Sequence, residues 1–196
     1  MKKNIIALCG DMKSGKSSVA RSLYQKLDDC MIIPFAGISK QCIEMITGIE
    51  MTDRQPDGSY DYSQTQKQKH LPGGMMLGQF IRDFSESVRS IDPYIWADAT
   101  IRQINDISRK NYIIPDLRMK HEFEALVNLE SDDDFSVFIY RIQADDQLKR
   151  IQKHDGRDLS HPTEVSHKLF NVDKTYTNKM GLINLESISN DIINSL

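Results

Sequence analysis

The strongest chemistry in the chain lies in the run Gly10-Asp11-Met12-Lys13-Ser14-Gly15-Lys16-Ser17. It fits G-x-x-x-x-G-K-[ST] at every specified position. Glycines let the backbone turn so that successive N–H groups face phosphate oxygens. A helix starting near Gly15 adds the positive end of its dipole. Lys16 is placed to reach the β- and γ-phosphates, and the Ser17 hydroxyl to coordinate Mg²⁺. Gly10, Lys13, Ser14, Gly15, Lys16, Ser17 and Ser18 are therefore the candidate contacts for ATP, with Mg²⁺ as its partner ion. An ordinary glycine turn beside a surface lysine is the bland alternative. The apolar strand before the run and the amphipathic helix after it argue against that.

A second group follows another apolar stretch, in Tyr112-Ile113-Ile114-Pro115-Asp116-Leu117-Arg118. Ligands of open parallel sheets sit beyond the carboxyl ends of the strands, where Asp116 and Arg118 fall. Asp116 suits Mg²⁺, through water, or a substrate hydroxyl; Arg118 suits a phosphate. A helix-capping aspartate beside a solvated arginine accounts for the same residues. Phosphoryl transfer needs positive charge around the moving group and exclusion of water. Lys16 and Arg118 are candidates for that charge, with Arg141 at the end of a strand and Arg150 and Arg157 in a polar segment.

The elements that must position these groups alternate between strands and helices. Strands are expected at Asn4–Cys9, Cys30–Ile33, Asn111–Ile114, Phe135–Arg141 and Leu169–Thr175. Helices are expected at Gly15–Leu27, where Val19, Leu23 and Leu27 share a face, and at Ile38–Ile46, which Gly48 stops. Further helices are expected at Met75–Val88, from Asp92-Pro93 to Arg109, and at Lys120–Leu129, Gln147–Lys153 and Asn184–Leu196. Asp132-Asp133-Asp134 reads as a solvated turn. This alternation predicts an α/β fold, a parallel sheet with helices on both faces. The 196 residues suit a single domain. Residues 51–74 form a polar, mobile excursion and residues 143–168 a lid-like segment.

Several segments resemble, in the same order, the deoxynucleoside monophosphate kinases of tailed phages. Asn111–Ala125 carries Ile-Pro-Asp-x-Arg-x-x-x-Glu, and Phe35-Ala36-Gly37-Ile38-Ser39-Lys40 is similar to the family's segment after strand two. Ser85–Trp96, with Arg89 and Asp92-Pro93-Tyr94-Ile95-Trp96, is similar to its arginine-to-tryptophan stretch, and His161-Pro162-Thr163-Glu164 to its His-Pro-Ser-Glu-like element. The resemblance implies a nucleotide-kinase-like P-loop fold with a lid, and ATP-dependent transfer to a (deoxy)nucleoside monophosphate. It implies that Lys40, Arg89, Asp116, Arg118 and Glu122 face the acceptor. Trp96 is either core or a base-stacking residue. In place of an arginine-rich helix start, this chain has Gly73-Gly74-Met75-Met76, and Met51–His70 matches no part of the family pattern. Other small-molecule kinases, similar to phosphomevalonate or dephospho-coenzyme A kinases, share the P-loop and Asp-x-Arg elements. A nucleotide-dependent switch is the reading from another class.

Weaker signals point elsewhere. His154, His161 and His167 are spaced seven and six apart, which puts no two on one helix face for zinc. Asn178-Lys179-Met180-Gly181 lacks the aspartate of a guanine-reading Asn-Lys-x-Asp and reads as a loop close to the adenine. A net charge of −3 argues against a duplex nucleic-acid partner. No apolar run has the length of a membrane span or signal peptide, and three cysteines without a CxxC pair suggest free thiols. A cytoplasmic location is the expectation; oligomeric state stays open, a homodimer included.

Overall fold

The structure, a computed structural model, describes residues 2–50, 53–54, 60–61, 68–145, 165–179 and 182–196. Its centre is β1 (Lys3–Cys9), whose residues from Ile5 onward are buried. Side chains alternate across a strand, and here both faces are covered. Ile5, Ala7 and Cys9 join one core with Tyr112, Ile114, Leu126 and Phe170. Ile6 and Leu8 join another with Val19, Leu23, Tyr176 and Ile188. Burial on both faces explains why the strand reads as a continuous apolar run.

Four further strands extend the sheet: β2 (Cys30–Ile32), β5 (Asn111–Ile114), β6 (Phe135–Ala144) and β7 (Lys174–Asn178). All pair in parallel, in the order β2-β5-β1-β6-β7. The chain leaves β1 to one side for β2 and β5, then crosses to the other for β6 and β7. The carboxyl end of β1 is therefore a switch point, where open sheets form a crevice. Helices α1 (Lys16–Lys26) and α6 (Leu182–Asn194) pack together over one face. On the other, α4 (Ile95–Asp106) packs against α5 (Lys120–Glu130) and α2 (Ala36–Thr47), and α3 (Leu77–Ile91) lies against α2 and α4. Among the described residues, no helix is long and apolar enough to cross a membrane.

The expected elements are largely present, with three corrections. The helix announced by Asp92-Pro93 starts at Ile95; Asp92 instead closes the preceding turn by accepting the Tyr94 amide on its carboxylate (3.0 Å). The last strand is Lys174–Asn178, not Leu169–Thr175. Leu169 is exposed at the end of a 3₁₀ turn (Ser166–Leu169), while Phe170 enters the core and stacks on Phe123 at 4.8 Å. Finally, β6 runs on to Ala144, so Arg141 lies inside the strand.

Within the polar excursion, β3 (Asp53–Arg54) and β4 (Tyr60–Asp61) form a short antiparallel pair. The expected helix Gln147–Lys153, most of the lid-like segment, Arg150, Arg157, His154, His161-Pro162-Thr163-Glu164 and Met180-Gly181 lie outside the described residues.

Candidate active site

The loop after β1 is shaped by two close approaches. Gly10 has φ 131°, and a Cβ there would stand 2.1 Å from the carbonyl oxygen of Ile142 in β6. Gly15 has φ 102° and caps α1; a Cβ there would stand 2.6 Å from Asn178 Nδ2. That amide donates to the Ser14 carbonyl at 2.8 Å, tying the last strand to the loop. Lys13 also has positive φ (60°). No side chain caps the N-terminus of α1 and no acidic residue stands in its first turn, so its leading amides keep donors and positive potential for an anion. Lys16 is buried at 6% exposure, its ammonium donating to the carbonyls of Gly10 (2.7 Å) and Asp11 (2.5 Å). Ser17 and Ser18 are exposed on the first turn. This set suits phosphate oxygens, with the Ser17 hydroxyl on the solvent side.

The Asp116–Arg118 segment comes beside this loop through sheet register. Ala7 pairs with Ile114, so Asp116 is level with Cys9 one strand away. Leu117 then donates its amide to the Leu8 carbonyl at 3.2 Å, which draws residues 116–118 across the end of β1. Asp116 caps a helix, but not the one that follows it. Its two oxygens accept the amides of Phe35 (2.8 Å) and Ala36 (3.0 Å) at the start of α2. Each oxygen retains acceptor capacity beyond that one bond.

Glu122, buried at 5% exposure, accepts the amides of Arg118 and Met119 (both 2.9 Å) and so closes the N-terminus of α5. Burial, and next the Asp116 carboxylate, push its carboxyl from 4.5 up to about 7, against the pull of those amides and of Arg89. The fold thus holds this proton more tightly than the unfolded chain does. The resulting stability is complete below pH 4.5 and is lost as pH rises through about 7. At about 1.4 kcal/mol per unit the loss is on the order of 3 kcal/mol. Glu122→Gln keeps an oxygen for the two amides and has nothing to ionise. We expect urea unfolding of the variant to lose less stability than wild type between pH 4.5 and 8; parallel losses would refute the assignment.

Arg89, at 15% side-chain exposure, pairs with Glu86 on the same helix, and its charge reaches Glu122. Lys40 lies in α2, just beyond the amides that Asp116 holds. Two expectations need correction. Trp96 is 6% exposed, with its indole N–H on the Ser85 carbonyl (3.0 Å) and its ring beside Phe84. It is core and has no free face for a base. Arg141, expected near the transferred phosphate, spends one guanidinium nitrogen on the carbonyls of His167 and Phe170, both at 2.9 Å. It fastens the 3₁₀ turn to β6.

Sequence reasoning missed what lines the loop from behind. Asn178 supports Ser14, and His167 is buried with Nε2 3.3 Å from an Asp11 oxygen. Both come from more than 150 residues later in the chain; the sequence singles out Asn178 for a loop near the adenine and His167 only as a poor zinc ligand.

No protein-family model matches the sequence, and no curated protein does. Solved structures do. A putative kinase from Chloroflexus aurantiacus superposes with a TM-score of 0.54 over 100% of both chains at 13% identity. The shikimate kinase of Acinetobacter baumannii, solved with shikimate, gives 0.52 over 100% of this chain and 93% of that one at 12% identity. The chain therefore shares its fold with these two proteins. The tunicamycin resistance protein of Deinococcus radiodurans shares it, at a TM-score of 0.53, 12% identity and coverage of 99% and 95%. In this fold the Gly10–Ser17 loop occupies the end of the central strand, at the switch point of the sheet.

Proposed function

We propose that the protein is an ATP-dependent kinase whose acceptor is a (deoxy)nucleoside monophosphate, converted to the diphosphate with release of ADP. The observation that carries this reading is the placement of the Asp116–Arg118 segment, drawn by the Leu117–Leu8 hydrogen bond to within one strand of Lys16. The loop amides and Lys16 bind the β- and γ-phosphates, while Arg118 grips the acceptor phosphate, with Arg89, Lys40 and Glu122 around it. Ser17 and Asp116 are the residues that would hold Mg²⁺, which when bound neutralises charge on the phosphates.

The acceptor is itself a phosphate oxygen, largely ionised at neutral pH since its second pKa is near 6. No general base is required. Catalysis is then a matter of alignment and of positive charge on the moving group. Lys16 must exchange the carbonyls of Gly10 and Asp11 for phosphate oxygens, a local rotation of one side chain.

The test is ADP production from Mg-ATP with each deoxyribo- and ribonucleoside monophosphate in turn. Turnover that depends on one or a few of them establishes the activity and gives the base preference. Turnover with a non-nucleotide acceptor alone moves the reading to another small-molecule kinase. ATP binding without stimulation by any acceptor sinks the kinase reading in favour of a nucleotide-dependent switch.

A further inference from the structure

The first half of the phosphate loop meets a buried side chain from outside it at Asp11. The Asp11 carbonyl accepts both the Lys16 ammonium (2.5 Å) and the Ser14 amide (3.3 Å), so the position of Asp11 sets two bonds inside the loop. The Asp11 side chain turns the other way and stands 3.3 Å from His167 Nε2. His167 is 2% exposed, and its Nδ1 is buried with no hydrogen-bond partner.

A buried ring nitrogen with no partner among the described residues is unfavourable, and a phenylalanine or leucine at the same place would avoid it. Among the described residues, the polar contact its ring makes is to Asp11. Burial holds the imidazole below its usual pKa, with the Asp11 carboxylate opposing this. The turn around His167 is itself anchored: Arg141 donates to the carbonyls of His167 itself and of Phe170, and lies opposite Cys9, the residue before Gly10. The path from β1 through Arg141 to the turn, through His167 to Asp11 and so back to the loop closes on itself.

We propose that His167 is a positioning residue of the nucleotide site: its contact with the Asp11 side chain fixes the backbone at the start of the loop, so that the amides that follow are already placed for phosphate. The inference rests on the loop being a nucleotide site but not on any particular acceptor. His167 touches no phosphate; it acts through Asp11.

The measurement is the dissociation constant of a fluorescent ATP analogue, titrated in the presence of Mg²⁺. His167→Phe fills the space without a donor. His167→Gln offers an amide N–H at about the reach of Nε2. We expect the phenylalanine variant to bind about tenfold more weakly, the scale of one polar contact, and the glutamine variant to recover most of that. In an Asp11→Ala background the cost of His167→Phe should fall below about twofold, since the partner is gone. A residue that only fills the core would give the opposite ranking, with glutamine worse than phenylalanine. Equal costs of His167→Phe in both backgrounds, or unchanged affinity, would overturn the proposal. Should the phenylalanine variant not fold, His167→Asn, whose amide falls short of Asp11, replaces it in the comparison with His167→Gln. Lys16→Ala is the control. If it binds as wild type does, the nucleotide site itself is misassigned; if it loses binding while His167→Phe does not, only this inference fails.

Discussion

Lys16→Ala is expected to lower acceptor-dependent ADP production by at least about 10²- to 10³-fold, the scale for removing one preorganised group that meets developing charge. The side chain is nearly buried, and its described bonds run to the carbonyls of its own loop. Its removal therefore leaves the sheet and both cores untouched. Near-ultraviolet circular dichroism should be unchanged while activity disappears, which separates chemistry from folding. Lys16→Arg should not restore the rate. A planar guanidinium is wider than an ammonium and does not fit a cradle dimensioned for a compact charge. Initial rates at saturating ATP and acceptor decide the matter, and turnover within tenfold of wild type in Lys16→Ala would remove the lysine from the mechanism.

The second large effect is on stability. Gly10→Ala places a methyl group 2.1 Å from the Ile142 carbonyl oxygen and 3.1 Å from its carbon, at a backbone angle of φ 131° that L-residues rarely adopt. Both obstacles are main-chain atoms of Ile142 in β6, a strand paired on both sides, so no side chain can turn aside. Left-handed strain alone costs about 1–3 kcal/mol. With the overlap added, we expect a loss above about 3 kcal/mol, in the range reserved for core disruption. Gly48→Ala supplies the contrast. It ends α2 at φ 65°, and a Cβ there meets nothing within 4 Å, so only the strain of about 1 kcal/mol applies. Urea midpoints of the two variants measure the difference. If Gly10→Ala costs no more than Gly48→Ala, the loop does not pass β6 as closely as described.

Several expectations were correct because the decisive interactions are local or periodic. The β1 run, the α1 spacing, Gly48 as a helix stop and the extent Asn111–Ile114 all follow from residues that make their own elements. The last strand was misplaced because apolar content misleads at a sheet edge. Leu169 and Phe170 look like a strand, yet one is exposed and the other plugs the core from a turn. The true strand alternates Tyr176 and Asn178 inward with Thr175 and Thr177 outward, a polar pattern because one edge of it has no neighbour.

What the sequence determined by itself is the phosphate loop, the alternation of strand and helix, and the identity of the residues beyond β5. Each is written in contiguous residues whose spacing matches one backbone geometry. Tertiary structure alone decided their employment. Asp116 caps a helix some 80 residues upstream, Trp96 is core, Arg141 holds a turn, and His167 and Asn178 stand behind the loop. Those roles depend on parallel pairing that sets Ala7 beside Ile114 and Cys9 beside Arg141. Such register is fixed by burial on both faces of the sheet, a property of the packed whole that no local window contains.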